Sequence, residues 1–331
     1  MIKIVLTRSM VSGDIQHIKE GLDKEVANKY EFIVPEEFTE ECIAKEAVSA
    51  DILLGPYITP AILEKAERLK LIQVPWTGMD TFNFKAMSGH NVVVCNTHSN
   101  ANAVAELAVA LLLDLLKKTA YHDRKMRKGS WNREQNPLSL KSKMVYGQTV
   151  CLLGFGNIGQ KIGQILYAFG AKIIAVDDKN IESSFAEIFP SIAINSAVAS
   201  AGVVICALPL TENTKGMIDG KLFSYMQNDA VLINISRAEI INEDDLYEAI
   251  VSGKIGAFGA DVWWNAPARG KSEAYPSLKH DFCIFDNVIL SPHRAGFVEG
   301  PPPHLKGAID NIVSFIQGRP LKGIVDLEKG Y

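Results

Sequence analysis

The sequence predicts an α/β protein made of two parallel-sheet domains. Length argues for more than one domain, because the chain has 331 residues and a typical domain has roughly 150. Order argues for the class: short β-rich runs alternate with helical segments along almost the whole chain, the pattern of parallel strands joined by crossover helices. Composition supplies the core. Hydrophobic residues make up 47% and charged residues 22%, ordinary for a globular chain and too apolar for a disordered one.

In the first series, strands are expected at Ile2–Leu6, Glu31–Val34, Asp51–Leu54, Leu71–Val74 and Val92–Cys95. Helical spacing covers Asp14–Asn28, Glu40–Val48 and Pro60–Leu69, the last with Thr59 as N-cap and Pro60 at the first helical position. Asn102–Arg127 reads as one long helix, apolar nearly all round in its first half, which implies burial at a domain or dimer interface. A second series then places six strands at Thr149–Leu153, Lys172–Val176, Val203–Ala207, Ala230–Ile235, Gly256–Asp261 and Val288–Leu290. Their spacing suits a dinucleotide-binding sheet. Past Pro292, the stiff Pro301-Pro302-Pro303 leads into a helix at about His304–Gln317, expected to pack back on the first domain.

Charge and hydropathy exclude several classes of partner. Net charge is −4 with no basic block, which argues against nucleic-acid binding. The most apolar stretch, Ala101 to Leu116, is interrupted by Glu106 and Asp114 and falls short of the ~18 apolar residues of a membrane span. The N-terminus lacks a signal peptide's layout. Five cysteines without CxxC spacing, in mostly apolar surroundings, suggest reduced structural thiols. The expected protein is cytoplasmic and needs no metal.

The strongest local signal is Gly154-Phe155-Gly156-Asn157-Ile158-Gly159, directly after the strand Val150–Leu153 and directly before a helical run. That strand–turn–helix context is what the fingerprint's mechanism requires. Gly154 and Gly156 allow a tight turn and close approach to a pyrophosphate, Gly159 lets the helix sit against the strand, and the amides at Asn157 and Ile158 face the phosphate charge. Eighteen residues after Gly159 comes Asp177, whose carboxylate can accept from ribose hydroxyls and would repel a 2′-phosphate. NAD is therefore expected rather than NADP.

These motifs and several others, in order along nearly the full length, resemble the D-isomer-specific 2-hydroxyacid dehydrogenase family. The matching segments are Val74-Pro75-Trp76-Thr77-Gly78-Met79-Asp80, Asn100 with Val104-Ala105-Glu106-Leu107-Ala108, and the glycine fingerprint. Further on they are Leu208-Pro209-Leu210-Thr211-Glu212-Asn213-Thr214, Ile233-Asn234-Ile235-Ser236-Arg237, Asp261-Val262 and Ser291-Pro292-His293. The resemblance implies two Rossmann-like domains: a flavodoxin-like substrate domain from residues 1–100 and 297–331, and a doubly wound NAD-binding domain from 101–296. It also implies an active-site cleft between them and a homodimer.

The chemistry explains the residue types. Reducing a 2-oxo acid needs a cation for the carboxylate, which Arg237 can provide through its forked guanidinium. It also needs an acid for the developing alkoxide, and His293 suits that task. The resemblance gives Arg237 and His293 these catalytic roles. It also implies that backbone N–H groups of Trp76, Thr77 and Gly78 meet the substrate carboxylate, with Trp76 bulkier than the small residues usual there. Asn100 lines up with an active-site asparagine of the formate-oxidising branch. Pro209 and Thr214 border the adenosine half, Ile235, Ser236, Arg237 and His293 lie along the cofactor, and Asp261 accepts from the nicotinamide carboxamide or caps a turn. Leu53 to Tyr57, Trp76, Trp263-Trp264 and the Phe297–His304 loop are expected to shape the substrate pocket, whose aromatic content suggests an apolar or bulky acid. Arg8, Arg269 and Arg294 could serve a phosphorylated one.

One departure stands out. The family places a glutamate before the proline of an Asp-Val-x-x-x-Glu-Pro segment, where it hydrogen-bonds the histidine; here the segment is Asp261-Val262-Trp263-Trp264-Asn265-Ala266-Pro267. Such a carboxylate orients the ring and favours its charged form, so with Ala266 the acid form of His293 is expected to be scarce at neutral pH. Three readings remain open. Catalysis persists, with Glu273, Asp281 or no partner at all; or the reaction is formate oxidation, which needs no proton shuttle; or the chain is an NAD(H)-sensing binding protein.

Overall fold

The computed structural model of the chain describes residues 1–87, 89–131, 141–267 and 271–331. They form two compact units, one from Met1–Asn100 with Gly296–Tyr331 and the other from Ala101–Ala295.

The first unit is a parallel sheet of five strands, β1 (Ile2–Leu6), β2 (Tyr30–Ile33), β3 (Ile52–Leu54), β4 (Leu71–Gln73) and β5 (Val93–Cys95), in the order β2-β1-β3-β4-β5. This is the flavodoxin-like order. Alternation along the strands sends Ile4, Leu6, Ile52, Leu54 and Leu71 to one face and Val5, Leu53, Ile72 and Val94 to the other. Helices α1 (Ser12–Val26) and the C-terminal Pro303–Ile316 cover the first face, with Gly21 so close to Ile309 that a Cβ there would stand 2.9 Å from it. Helices α2 (Glu40–Ala47) and α3 (Pro60–Lys65) cover the second. Thr59 caps α3 by accepting from the Ile62 N–H at 3.3 Å, and Pro60 opens the helix, as the sequence suggested. The helix stops at Lys65, four residues short of the expected end, where Ala66 leaves helical geometry.

The second unit starts with a departure. In place of one helix over Asn102–Arg127 there are two, α4 (Ala101–Lys117) and α5 (Thr119–Met126), separated by Lys118 in the left-handed region at φ +57°. Asp114 explains the break: its backbone carbonyl still takes the Lys118 N–H at 2.6 Å, while its carboxylate takes the Ala120 N–H at 2.7 Å and so starts a new helix. The apolar residues of α4 pack into the unit's own core beside α6 (Asn157–Ala168). That accounts for a helix apolar on so wide a face.

The sheet of this unit has seven parallel strands: β6 (Thr149–Leu153), β7 (Lys172–Val176), β8 (Ala186–Phe189), β9 (Val203–Cys206), β10 (Ala230–Asn234), β11 (Ile255–Ala260) and β12 (Val288–Leu290). Their order is β12-β11-β10-β9-β6-β7-β8. Counted from β6, this is the doubly wound 3-2-1-4-5-6 order with one more strand. The six-strand expectation missed β8, a four-residue edge strand without a strong apolar run. Helices α7 (Ile194–Ala199), α8 (Gly220–Tyr225) and α9 (Glu243–Val251) cover one face of the sheet, and α4 and α6 cover the other. The C-terminal helix, Pro303–Ile316, is α10.

Of the five cysteines, Cys95, Cys151 and Cys206 are buried, Cys42 is half-buried and Cys283 is exposed, and none is disulfide-bonded. The expected apolar surroundings thus hold for three of them. No described helix is long and apolar enough to cross a membrane.

Candidate functional site

In the second unit the strand order reverses between β6 and β9, where ligands of such sheets bind. The glycine turn stands there. Gly154, at φ +93°, could not carry a side chain, because a Cβ would lie 2.8 Å from the Ala207 carbonyl oxygen at the end of β9. Gly159 is tighter still: a Cβ would meet the Gly154 carbonyl oxygen at 2.2 Å, so only glycine lets α6 start this close to its strand. Gly156 is the N-cap of α6. Among the described residues, no acceptor is bonded to the N–H groups of Gly156, Asn157 or Ile158. A backbone cradle with unpaired donors at a helix start fits a pyrophosphate. Asp177, just beyond β7, accepts from the Phe155 N–H at 2.8 Å and the Lys179 N–H at 2.9 Å, so it braces the turn.

The loop after β9 holds itself in shape. Thr214 Oγ1 donates to the Pro209 carbonyl at 2.6 Å and accepts from the Thr211 N–H at 2.8 Å. Ser236 Oγ donates to the Leu208 carbonyl, tying this loop to the one after β10.

Arg237 is half-buried in that second loop, with Nη1 donating to the Ser236 carbonyl at 2.8 Å. Buried Asn234, at the end of β10, fixes the loop from below, as its side chain donates to the Arg237 carbonyl at 2.9 Å and accepts from the Ser236 N–H at 3.0 Å. Ile235 is buried beside it.

His293 is exposed and sits at φ +52°, a conformation uncommon for any residue with a side chain. Asp261 holds it there. This carboxylate is 2% exposed and accepts from Ser291 Oγ and the Arg294 N–H (2.9 Å) on Oδ1, and from the Ala295 N–H (2.9 Å) on Oδ2. Burial with three donors keeps the segment on both sides of His293 in place. The Trp263 indole adds a fourth tie, donating to the Ser291 carbonyl at 2.9 Å. Asn234 and Ser291 were not singled out from sequence; the signal was a polar residue at the buried end of an apolar strand run.

Ala266 is exposed on the same segment as Trp263. No described carboxylate of this unit is hydrogen-bonded to the His293 ring. Asp281 caps the turn at Phe282–Ile284 through the Cys283 N–H (3.0 Å), and Glu273 is exposed. The two tryptophans are half-buried and held by ring contacts: Trp264 stacks on Phe282 at 5.6 Å and Trp263 meets Phe258 edge-on at 5.8 Å. Arg269 lies outside the described residues. Burial pushes the Cys206 thiol up to about 12, so it stays protonated beneath these loops. Among the described residues, no cluster of His, Cys, Asp and Glu could hold a metal ion.

In the first unit, Trp76, Thr77, Gly78 and Asn100 come together at the carboxyl end of the sheet. The Thr77 hydroxyl lies 2.9 Å from the Thr97 carbonyl and 2.8 Å from Asn100 Oδ1, its one proton shared between them. Asn96 Nδ2 donates to the Thr77 carbonyl at 2.8 Å. Among the described residues, nothing accepts from the N–H groups of Trp76, Thr77 and Gly78. Three consecutive free amides in a braced loop suit an anion. In the first turn of α10, burial holds the His304 imidazole below its ordinary range despite the opposing charge of Asp14, so it is neutral at pH 7.

A braced glycine turn at the switch point of a doubly wound sheet defines a dinucleotide-binding oxidoreductase unit. A family model described as "D-isomer specific 2-hydroxyacid dehydrogenase, NAD binding domain" matches residues 109–295. The hydroxypyruvate reductase of Thermotoga maritima is 30% identical over 84% of this chain and 90% of its own length. The glyoxylate reductase of Thermococcus onnurineus is 26% identical over 98% of this chain and 96% of its own. A D-lactate dehydrogenase from Lactobacillus jensenii, solved with NAD+, shares the fold at a TM-score of 0.76, with 24% identity over 98% of this chain and 100% of that one. The chain belongs to the D-isomer-specific 2-hydroxyacid dehydrogenase family and is an NAD-dependent oxidoreductase.

Proposed function

We propose that the chain interconverts a 2-oxo acid and a D-2-hydroxy acid, with Arg237 on the substrate carboxylate and His293 as acid and base. When bound, NAD(H) supplies or takes up the hydride at carbon 2 of the substrate. The observation that carries this reading is that Arg237, His293 and the glycine turn all stand at the carboxyl end of one parallel sheet. In this reading the Ser236 carbonyl takes one Arg237 donor and so orients the guanidinium, whose forked geometry suits a carboxylate. Within the first unit, the free amides of Trp76, Thr77 and Gly78 suit a carboxylate, and Thr77 and Asn100 keep that loop in shape. His293 gives its proton to the alkoxide oxygen in reduction and takes one from the hydroxyl in oxidation. Asp261 positions His293, and its Oδ2, with one bond accepted, has room for one more donor such as a carboxamide. The adenosine half is assigned to Asp177, Pro209 and Thr214.

Hydroxypyruvate and glyoxylate, named for the relatives, are short 2-oxo acids of this kind. The test is NADH oxidation by the purified chain across a panel of 2-oxo acids, with formate and NAD in a parallel well. Turnover of at least one 2-oxo acid is expected. Tight NADH binding with no 2-oxo acid reduced would overturn the reading, and turnover of formate alone would move it to hydride transfer without a proton shuttle.

A further inference from the structure

Arg8 stands two residues past the end of β1, and its guanidinium lies over the Trp76 ring, 4.9 Å from the centroid. The topology makes this contact unusual. β3 lies between β1 and β4 in the sheet, so a side chain after β1 reaches the loop after β4 only by crossing the end of β3. That end is Gly55, at φ +131°, where a Cβ would lie 2.5 Å from Thr7 Oγ1. The crossing is open because Gly55 has no side chain. The strand ends are also knitted together: the Thr7 N–H donates to the Leu54 carbonyl and the Gly55 N–H to the Gln73 carbonyl, both at 2.9 Å. Arg8 is thus an exposed cation on a rigid edge, and among the described residues it has no carboxylate partner.

A cation over an aromatic face is held there without a hydrogen-bond acceptor, so the N–H groups of the guanidinium remain for an anion. The ring beneath it begins the loop whose amides are free. We infer that Arg8, held over Trp76, selects 2-oxo acids that carry a second anionic group, a carboxylate or a phosphate, beyond the keto carbon. This rests on the proposed reading of the Trp76–Gly78 loop as a carboxylate site. One anion takes the amides and the other takes the Arg8 fork, so the bulk of Trp76 supports the cation and does not mark an apolar pocket.

The experiment compares kcat/KM with NADH for pyruvate, oxaloacetate, 2-oxoglutarate and phosphohydroxypyruvate in the wild-type chain, Arg8→Met and Arg8→Lys. A lost charge-assisted pair costs roughly tenfold or more, so Arg8→Met is expected to lower the ratio of dianion to pyruvate kcat/KM by about that factor. Arg8→Lys, which keeps the charge but not the fork, should fall between. The better dianion tells a distal carboxylate from a distal phosphate. Binding of D-malate and D-lactate without nucleotide, read by tryptophan fluorescence with Trp76→Phe as control, gives a second measure that needs no turnover. D-malate should bind more tightly, and Arg8→Met should remove the preference. Reduction of pyruvate with no dianion preference, or a preference unchanged in Arg8→Met, would overturn the inference and leave the reductase reading standing. If no 2-oxo acid is reduced, the reductase reading fails, and equal binding of malate and lactate would overturn the Arg8 inference separately.

Discussion

Asp261 and Ala266 lie five positions apart on one segment and bear on His293 in different ways. Asp261 fixes the backbone around the histidine, through Ser291, Arg294 and Ala295. Ala266 stands where the family resemblance implies a carboxylate for the ring. Trp263 ties the start of that segment to Ser291, two residues before His293. On the proposed reading, reduction draws its proton from the His293 ring, and a neighbouring carboxylate favours the protonated form. Ala266→Glu is therefore expected to move the alkaline limb of the reductive pH profile upward, measured as kcat/KM against pH. An unmoved limb would mean that residue 266 does not face the ring. The places of Arg237 and His293 were legible in the sequence because each follows an apolar strand run. The bracing by Asn234, Ser291 and Asp261 was not legible, because each acts through bonds to loops whose nearness exists only after the sheet has formed.

The glycine turn shows the same division among elements. Its three glycines, the strand before them and the helix after them could be read in order, since each is a local requirement of backbone and spacing. Helix ends and edge strands could not. α4 and α5 read as one helix because their apolar spacing runs on past Lys118, and only the two bonds to Asp114 reveal the break. β8 escaped because an edge strand has one neighbour and little need of apolar side chains. The turn also makes the sharper prediction. A methyl group at Gly159 would press on a backbone oxygen at 2.2 Å, which no side-chain rotation can relieve. Gly159→Ala should cost about 1–3 kcal/mol of stability, the usual range for overpacking, and should weaken NADH binding by pushing α6 off its strand. Thermal melts and an NADH fluorescence titration check this, and wild-type affinity in the variant would show that the turn does not hold the pyrophosphate.

At the scale of the whole chain, the boundary is not where a cut into equal halves would put it. The first unit takes its last helix, α10, from the far end of the chain, and the second is one continuous stretch. The sequence reading also placed the last helix with the first domain, and in the structure the apolar stripe of α10 shares a core with α1. The functional reading gives the units different tasks, with the nucleotide on the second. It follows that substrate chemistry and nucleotide binding should be separable by a single substitution. The measurement is Arg237→Ala, comparing kcat/KM for the best 2-oxo acid with the dissociation constant for NADH. Removal of one charge-stabilising group from an active site typically costs ~10²–10³ in rate, so a loss of that size with NADH affinity within a few-fold of wild type is expected. Equal losses in turnover and in NADH affinity would contradict the carboxylate role of Arg237, and with it the reading of the chain as a 2-hydroxy acid dehydrogenase that works through that residue.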